Sequence, residues 1–226
     1  LIMALNINGT TGISGVDGSV SAPALTGTDS NTGITFPAAD TIKFSTGGVE
    51  RMQITNSGVS GTGISSGGLP MVDMWHVSST STFNTETAAV NWGRSSGTIT
   101  GAGHIGSAMT NSTQYFTFPE TGIYEVEYQT LCYTSAAEAR YVASFIYATT
   151  DGSNYNKRAR GYASVHQDSS QTTFSFGVKF IFDVTNTSTH KVYFSNLAEA
   201  TATLEFADLT NDIIRSYALF KKLGDT

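Results

Sequence analysis

The stretch "FSFGVKFIFDV", Phe174 to Val184, constrains the fold more than any other. It sets Phe174, Phe176, Val178, Phe180, Phe182 and Val184 at every second position, with Ser175, Gly177, Lys179, Ile181 and Asp183 between them. A helix would scatter those six apolar residues around its circumference, whereas a strand, with period two, puts them all on one face. The chain therefore contains a long, half-buried strand of an antiparallel sheet.

Other segments repeat the signal. In "GIYEVEYQTLCYT", Tyr124, Val126, Tyr128 and Cys132 face one way and Glu125, Glu127 and Gln129 the other. "RYVASFIYA" is apolar on both faces and predicts a strand covered on both sides. With "QYFTF", "ARGYASVH", "HKVYFSNL", "ATLEF" and "SYALFKK", eight strands are expected from Gln114 onward, and Met71 to Trp92 supplies one or two more. Many short strands between turn-rich loops point to a sandwich or jelly roll. Only Ser135 to Arg140 and the stretch after position 206, "ADLTNDIIRS", suggest helix.

The core must lie in the second part of the chain. Residues 1 to 68 hold 13 of the 23 glycines but only Phe36 and Phe44 of the 25 aromatics. The 158 residues that remain are enough for one good core. Between Gly27 and Gly61 the chain offers short alternating pieces, "GITF", "TIKFS" and "RMQIT", each closed by a polar turn. Each piece has too little apolar surface to offset the roughly 1 to 2 kcal/mol per residue of ordering entropy. Such ribbons hold shape only if several chains supply them to a shared core. "SGVSGTGISSGGLP", Ser57 to Pro70, is the flexible joint to the aromatic-rich second part.

Two resemblances extend this reading. "GITFPAADTIKFSTGGVERMQITNSGVSG" resembles the stem repeat of bacteriophage tail fibres and related virion appendages, and the leading "MALNINGTTGISGVDGSVSAPAL" resembles N-terminal attachment segments of phage structural proteins. "QYFTFPETGIYEVEYQTL" is similar to the globular complement head, a TNF-like jelly roll, with Phe116, Phe118, Pro119, Gly122 and Tyr124 carrying the likeness. Trp75 to Met109 does not map clearly onto that family, which leaves the first strands open. The resemblance implies a homotrimer, a jelly-roll knob on a trimeric stem.

The expected organisation is thus all-β: an attachment segment over 1–26, a glycine-rich trimeric β stem and joint over 27–68, and a TNF-like jelly-roll knob over 69–226. The implied function is a phage structural protein, a trimeric fibre or spike that adheres to a host surface glycan or protein. It would grip other virion proteins through its N-terminus and assemble in the host cytoplasm. The alternatives are a capsid decoration or head fibre and, from another class, a polysaccharide-cleaving enzyme.

Net charge of −6 with 12 basic residues leaves no phosphate-tracking stripe, so nucleic acid is not an expected partner. No window approaches the roughly 18 apolar residues of a membrane helix. The N-terminus lacks the basic region and apolar run of a secretory leader, and Leu1 and Ile2 precede Met3. The single Cys132, in an apolar alternating segment, reads as a core residue.

Four features bear on chemistry. "GAGHIG", Gly101 to Gly106, matches GxGxxG but has no strand before it and no helix after it, so no nucleotide cofactor is expected. Glu125 and Glu127 stand roughly 7 Å apart on one face, near a glycosidase separation, but alternating acids are ordinary on the wet face of a strand, so no enzyme is expected. His76, His104, His166 and His190 lack metal-ligand spacing, and no metal is expected. The loop "TTDGSNYNKRARGY", Thr149 to Tyr162, offers Tyr155, Lys157, Arg158 and Arg160 as receptor-binding residues, since tyrosine and arginine give rigid contact area and bidentate hydrogen bonds.

Overall fold

A computed structural model of the chain describes residues 17–62, 69–135, 139–166, 170–205 and 207–226, together with the backbone of 6–8 and 12–14. The chain divides into two compact units, Leu1–Gly68 and Leu69–Thr226.

In the first unit two small antiparallel pairings, Asn6–Asn8 with Gly12–Ser14 and Gly18–Ser19 with Ala22–Pro23, precede a five-stranded antiparallel meander. Its strands are β1 (Leu25–Thr26), β2 (Gly33–Ala38), β3 (Thr41–Thr46), β4 (Val49–Thr55) and β5 (Gly58–Gly61). The expected pieces "GITF", "TIKFS" and "RMQIT" lie in β2, β3 and β4. Between β3 and β4, Gly47 and Gly48 both take positive φ (61° and 73°), the geometry of a two-residue hairpin turn.

Register sorts the two faces of this meander completely. Leu25, Ile34, Phe44 and Met52 stand opposite one another across four strands, and Ile42, Ile54 and Val59 across three. Phe36 lies on the same side, sharing a depression with Ile42 and Ile54. The other face carries Thr35, Lys43, Gln53 and Ser60 in one row, with Lys43 paired to Glu50 at 2.6 Å. Burial runs opposite to polarity. Thr35 and Ser45 are buried, while none of the eight apolar side chains is, and Val59 is 46% exposed.

The second unit is a two-layered antiparallel sandwich. Its main strands are β6 (Met71–Val77), β7 (Trp92–Arg94), β8 (Thr110–Ser112), β9 (Tyr115–Thr117), β10 (Gly122–Ser135), β11 (Ala139–Thr149), β12 (Asn156–Val165), β13 (Gln171–Val184), β14 (Lys191–Ala198) and β15 (Tyr217–Gly224). One sheet runs β7-β6-β15-β10-β13, with Ala202–Leu204 beside β10 and Ser81–Phe83 outside it. The other runs β8-β9-β14-β11-β12, with Thr87–Ala88 on β14. The chain changes sheet from β9 to β10, β10 to β11, β12 to β13 and β13 to β14, the winding of a jelly roll.

The alternating faces meet between the sheets. Tyr124, Val126, Tyr128 and Cys132 are fully buried, as are Phe116, Phe194 and Phe220 from three other strands. Phe116 contacts Trp75, Trp92, Phe194 and Phe220 at ring separations between 5.0 and 5.7 Å. Removing its ring would cost about 3–5 kcal/mol. β11 is covered on both faces, with Val142 and Ile146 buried on one side and Ala143 and Phe145 on the other.

Three expectations require correction. Met71 to Trp92 supplies four strands, not one or two: β6, Ser81–Phe83, Thr87–Ala88 and the start of β7. Ser135, Ala139 and Arg140 belong to strands, and residues 136–138 of that expected helix lie outside the described residues. The other expected helix is a turn closed by an Asp208–Ile213 bridge, its carboxylate accepting from the amides of Thr210 and Asn211. Such an Asx turn competes directly with helix.

Candidate functional site

The candidate receptor residues are placed by a hairpin and a bulge. Between β11 and β12 the chain turns on Asp151, whose carboxylate accepts from Asn154 (side chain and amide), the Ser153 amide and Thr149 Oγ1. Those bonds, Asn154 foremost, hold the Asp151 carboxyl far below the usual carboxylate range. Strand pairing resumes at Asn156, so Lys157, Arg158 and Arg160 lie on β12, not in the expected loop, and only Tyr155 belongs to the turn.

Register then slips by one residue. Lys157 pairs with Tyr147 and Ala159 with Ile146, leaving Arg158 as the extra residue of a β-bulge. Period two alone would send Lys157 and Arg160 to opposite faces. The bulge brings both to the outer face, where Lys157 sits 4.1 Å above the Phe145 ring and Arg160 stands opposite Phe145. Ala159 turns inward to the core.

Lys157 and Tyr155 enter one cluster. The carboxylate of Glu86 accepts from Lys157 Nζ at 2.7 Å, from Ser195 Oγ at 3.0 Å and from the Tyr147 hydroxyl. Partial burial raises the Glu86 carboxyl, but the bonds from Lys157, Tyr147 and Ser195 together bring it below its ordinary value. Tyr147 stacks on Tyr193 at 4.6 Å and 8°, and Tyr155 packs against Tyr193 at 5.2 Å and Tyr115 at 5.0 Å. Burial pushes the Tyr193 hydroxyl up to about 12, so it is a neutral hydrogen-bond donor at any physiological pH.

Arg158 and Arg160 do not join that cluster. Arg160 lies over the Tyr162 ring at 5.4 Å, and that ring is 52% exposed. A groove runs along the strand, lined by Lys157, Arg158, Ala159 and Arg160. The sequence reading missed Glu86, Tyr115, Tyr147, Tyr162 and Tyr193. The tyrosines' one visible signal is their surplus at outward positions of neighbouring strands, Glu86 has none, and only the register joins them.

The other candidate features have plain structural duties. Glu125 is paired with Lys221 at 2.8 Å and Glu127 with Lys179 at 3.0 Å, and the bond from Lys221 holds the Glu125 carboxyl low. A carboxyl so held is unsuited to donate a proton as a general acid. In "GAGHIG", Ile105 bridges to Val72, and no helix succeeds it among the described residues. His76 is buried beside Ser95, His190 lies between Thr185 and Thr189, and His104 and His166 are exposed. Among the described residues no three metal-ligating side chains converge. Cys132 is a buried core thiol, pushed up to about 12 by burial.

Comparison with known proteins is informative at the level of fold. No protein-family model and no curated protein match the sequence. The structure of Eiger TNF from S. frugiperda is similar at a TM-score of 0.53 and 14% identity, covering 70% of this chain and 95% of that one. Murine APRIL is similar at a TM-score of 0.48 and 12% identity, over 68% of this chain and 98% of its own. The fold is all-β, with a TNF-like jelly roll.

Proposed function

We propose that this chain is a subunit of a bacteriophage virion appendage, a homotrimeric fibre or spike whose jelly-roll knob adheres to the host surface. Residues 1–26 attach it to other virion proteins, residues 27–68 form a shared stem, and the knob makes contacts whose weakness is offset by threefold multivalency. The reading is non-enzymatic, supported by the lysine pairing of Glu125 and Glu127.

The observation that carries it is the inverted burial of the first unit. Eight apolar side chains share one face of a five-stranded sheet, and not one of them is buried among the described residues. A sheet in that state is stable only with its apolar face against another. Identical copies offer the same face, and the stem-repeat resemblance of these residues supports three of them.

Light scattering of the intact chain is the test. A mass three times 23.9 kDa at micromolar concentration is expected, falling towards the monomer for a chain beginning at Leu69. A monomeric intact chain would sink the reading. Gold labelling of particles then separates tail fibre from capsid decoration.

A further inference from the structure

The second unit has five arginines, and two of them stand apart. Arg94 faces Asp73, Arg140 faces Glu199, and Arg215 faces Glu205 and Asp208. Arg158 and Arg160 have no carboxylate partner among the described residues, although the chain carries a net charge of −6. Their neighbour Lys157 is already neutralised by Glu86. Two guanidinium groups without a carboxylate partner, lining one groove of an acidic protein, form a local site for anions, and the planar donor array of arginine matches a carboxylate or a sulfate.

The surroundings narrow the anion. Arg160 shares the outer face with Tyr162, whose half-exposed ring is held edge-on by Tyr141 and Phe145 at 6.3 and 6.5 Å. A rigid exposed ring beside a guanidinium offers a flat apolar surface for the C–H face of a sugar next to a donor for its acidic group. The bulge at Arg158 also frees the backbone there from regular pairing and gives hydroxyls something to bond. A bare phosphodiester would leave that exposed Tyr162 ring unused, so an acid carried on a sugar ring suits the site better.

We propose that the bulged edge strand β12 binds an acidic polysaccharide, with Arg158 and Arg160 holding its carboxylate or sulfate groups and Tyr162 stacking on a sugar ring. This names the ligand class for the adhesive reading and rests on that reading for its biological setting. Its test needs neither particle nor cell.

Retention of the intact protein is measured on immobilised alginate, dextran sulfate and neutral dextran under a salt gradient. Retention on one or both acidic matrices is expected, with none on dextran; alginate reports uronate carboxylates and dextran sulfate reports sulfates. Arg158→Gln with Arg160→Gln lowers affinity at least tenfold, Tyr162→Leu lowers it severalfold, and Lys179→Gln, on the other sheet, leaves it unchanged. Thermal melts of each variant confirm the fold. No retention on either acidic matrix overturns the inference, as does retention indifferent to the arginine pair. Retention that depends on the arginines but ignores Tyr162 marks a plain anion site and removes the saccharide. An intact trimer that binds neither matrix refutes this site and leaves the appendage reading standing, whereas a monomer that binds does the reverse.

Discussion

The imidazole of His76 packs so closely on the backbone of Gly93 that a β-carbon at residue 93 would stand 2.8 Å from Nε2. The two residues are direct partners across β6 and β7, and His76 is fully buried, its Nδ1 held 3.2 Å from Ser95 Oγ. The ring therefore has little room to retreat. Gly93→Ala is expected to destabilise the second unit by about 1–3 kcal/mol, the usual cost of overpacking. Combining it with His76→Ala should cost less than the sum of the two single changes, since the clash vanishes with the ring. Denaturant unfolding of all four proteins gives the answer, and strict additivity would refute the contact.

The same histidine gives the fold a pH dependence. Burial lowers its pKa below the ordinary 6.5, because the charged form loses hydration and Nε2 has no partner to replace it. The unfolded state then binds the proton more readily than the native state. Stability contributed by the neutral ring is fully present above pH 6.5 and is lost as pH falls from there through the lowered native pKa. The wild type should lose denaturant resistance between pH 7.5 and 5 by more than His76→Gln does. Parallel curves for the two proteins would show that another group titrates.

Asp73 is the one fully buried acid of β6, and it organises the strands around it. Its Oδ2 accepts from Trp75 Nε1 and from the Met109 amide, both at 2.9 Å, while Arg94 approaches Oδ1 at 3.3 Å. Arg94 in turn donates to the Met109 carbonyl at 2.6 Å and lies over the Trp75 ring. Asp73→Ala strands two donors and a half-buried cation. The expected loss is about 3 kcal/mol. A thermal shift no larger than that of an ordinary surface substitution would contradict it.

How much of this was readable in advance depended on range. The long strands were legible because alternation is local: in the β13 segment Phe174 to Val184 every second residue is apolar or aromatic, and in β10 only Thr130 interrupts the series from Tyr124 to Cys132. The bulge at Arg158 was not, since "NKRARGY" carries no mark of a register slip, and the slip decides which charges share a face. The tyrosine cluster draws Tyr115, Tyr147 and Tyr193 from three strands and Tyr155 from a turn, so only pairing across the sheet assembles it. Glu86 was invisible for the same reason. A lone acid in a threonine-rich stretch says nothing until Lys157, 71 positions later, is laid against it. "SAAEAR" misled because helix propensity is local while its ends were already committed to β10 and β11.

Glu86 restrains the cationic strand. Replacing it by glutamine keeps the shape but removes the charge that neutralises Lys157, so a third cation joins Arg158 and Arg160. Glu86→Gln should strengthen retention on an acidic matrix by about twofold to fivefold at low salt, and the gain should fade as salt screens it. Unchanged retention at low salt would mean that Lys157 stays out of reach of the ligand even when unpaired.

The apolar face of the first unit makes the sharpest prediction about assembly. Phe44 lies in the middle strand of the meander, directly between Ile34 and Met52, and Ile54 lies between Ile42 and Val59. In a single chain both side chains meet water, so Phe44→Asp and Ile54→Asp should leave the second unit's melting temperature unchanged. In an assembled stem each charge would be buried three times over without a counter-ion, a cost of several kcal/mol per ion. Solution mass should therefore drop to that of the single chain while the near-ultraviolet signal of the second unit's aromatics persists. A trimer that survives both substitutions would place the contact between copies elsewhere. Lys43→Gln, on the opposite face and paired with Glu50, is the control, and it should leave the mass as it was.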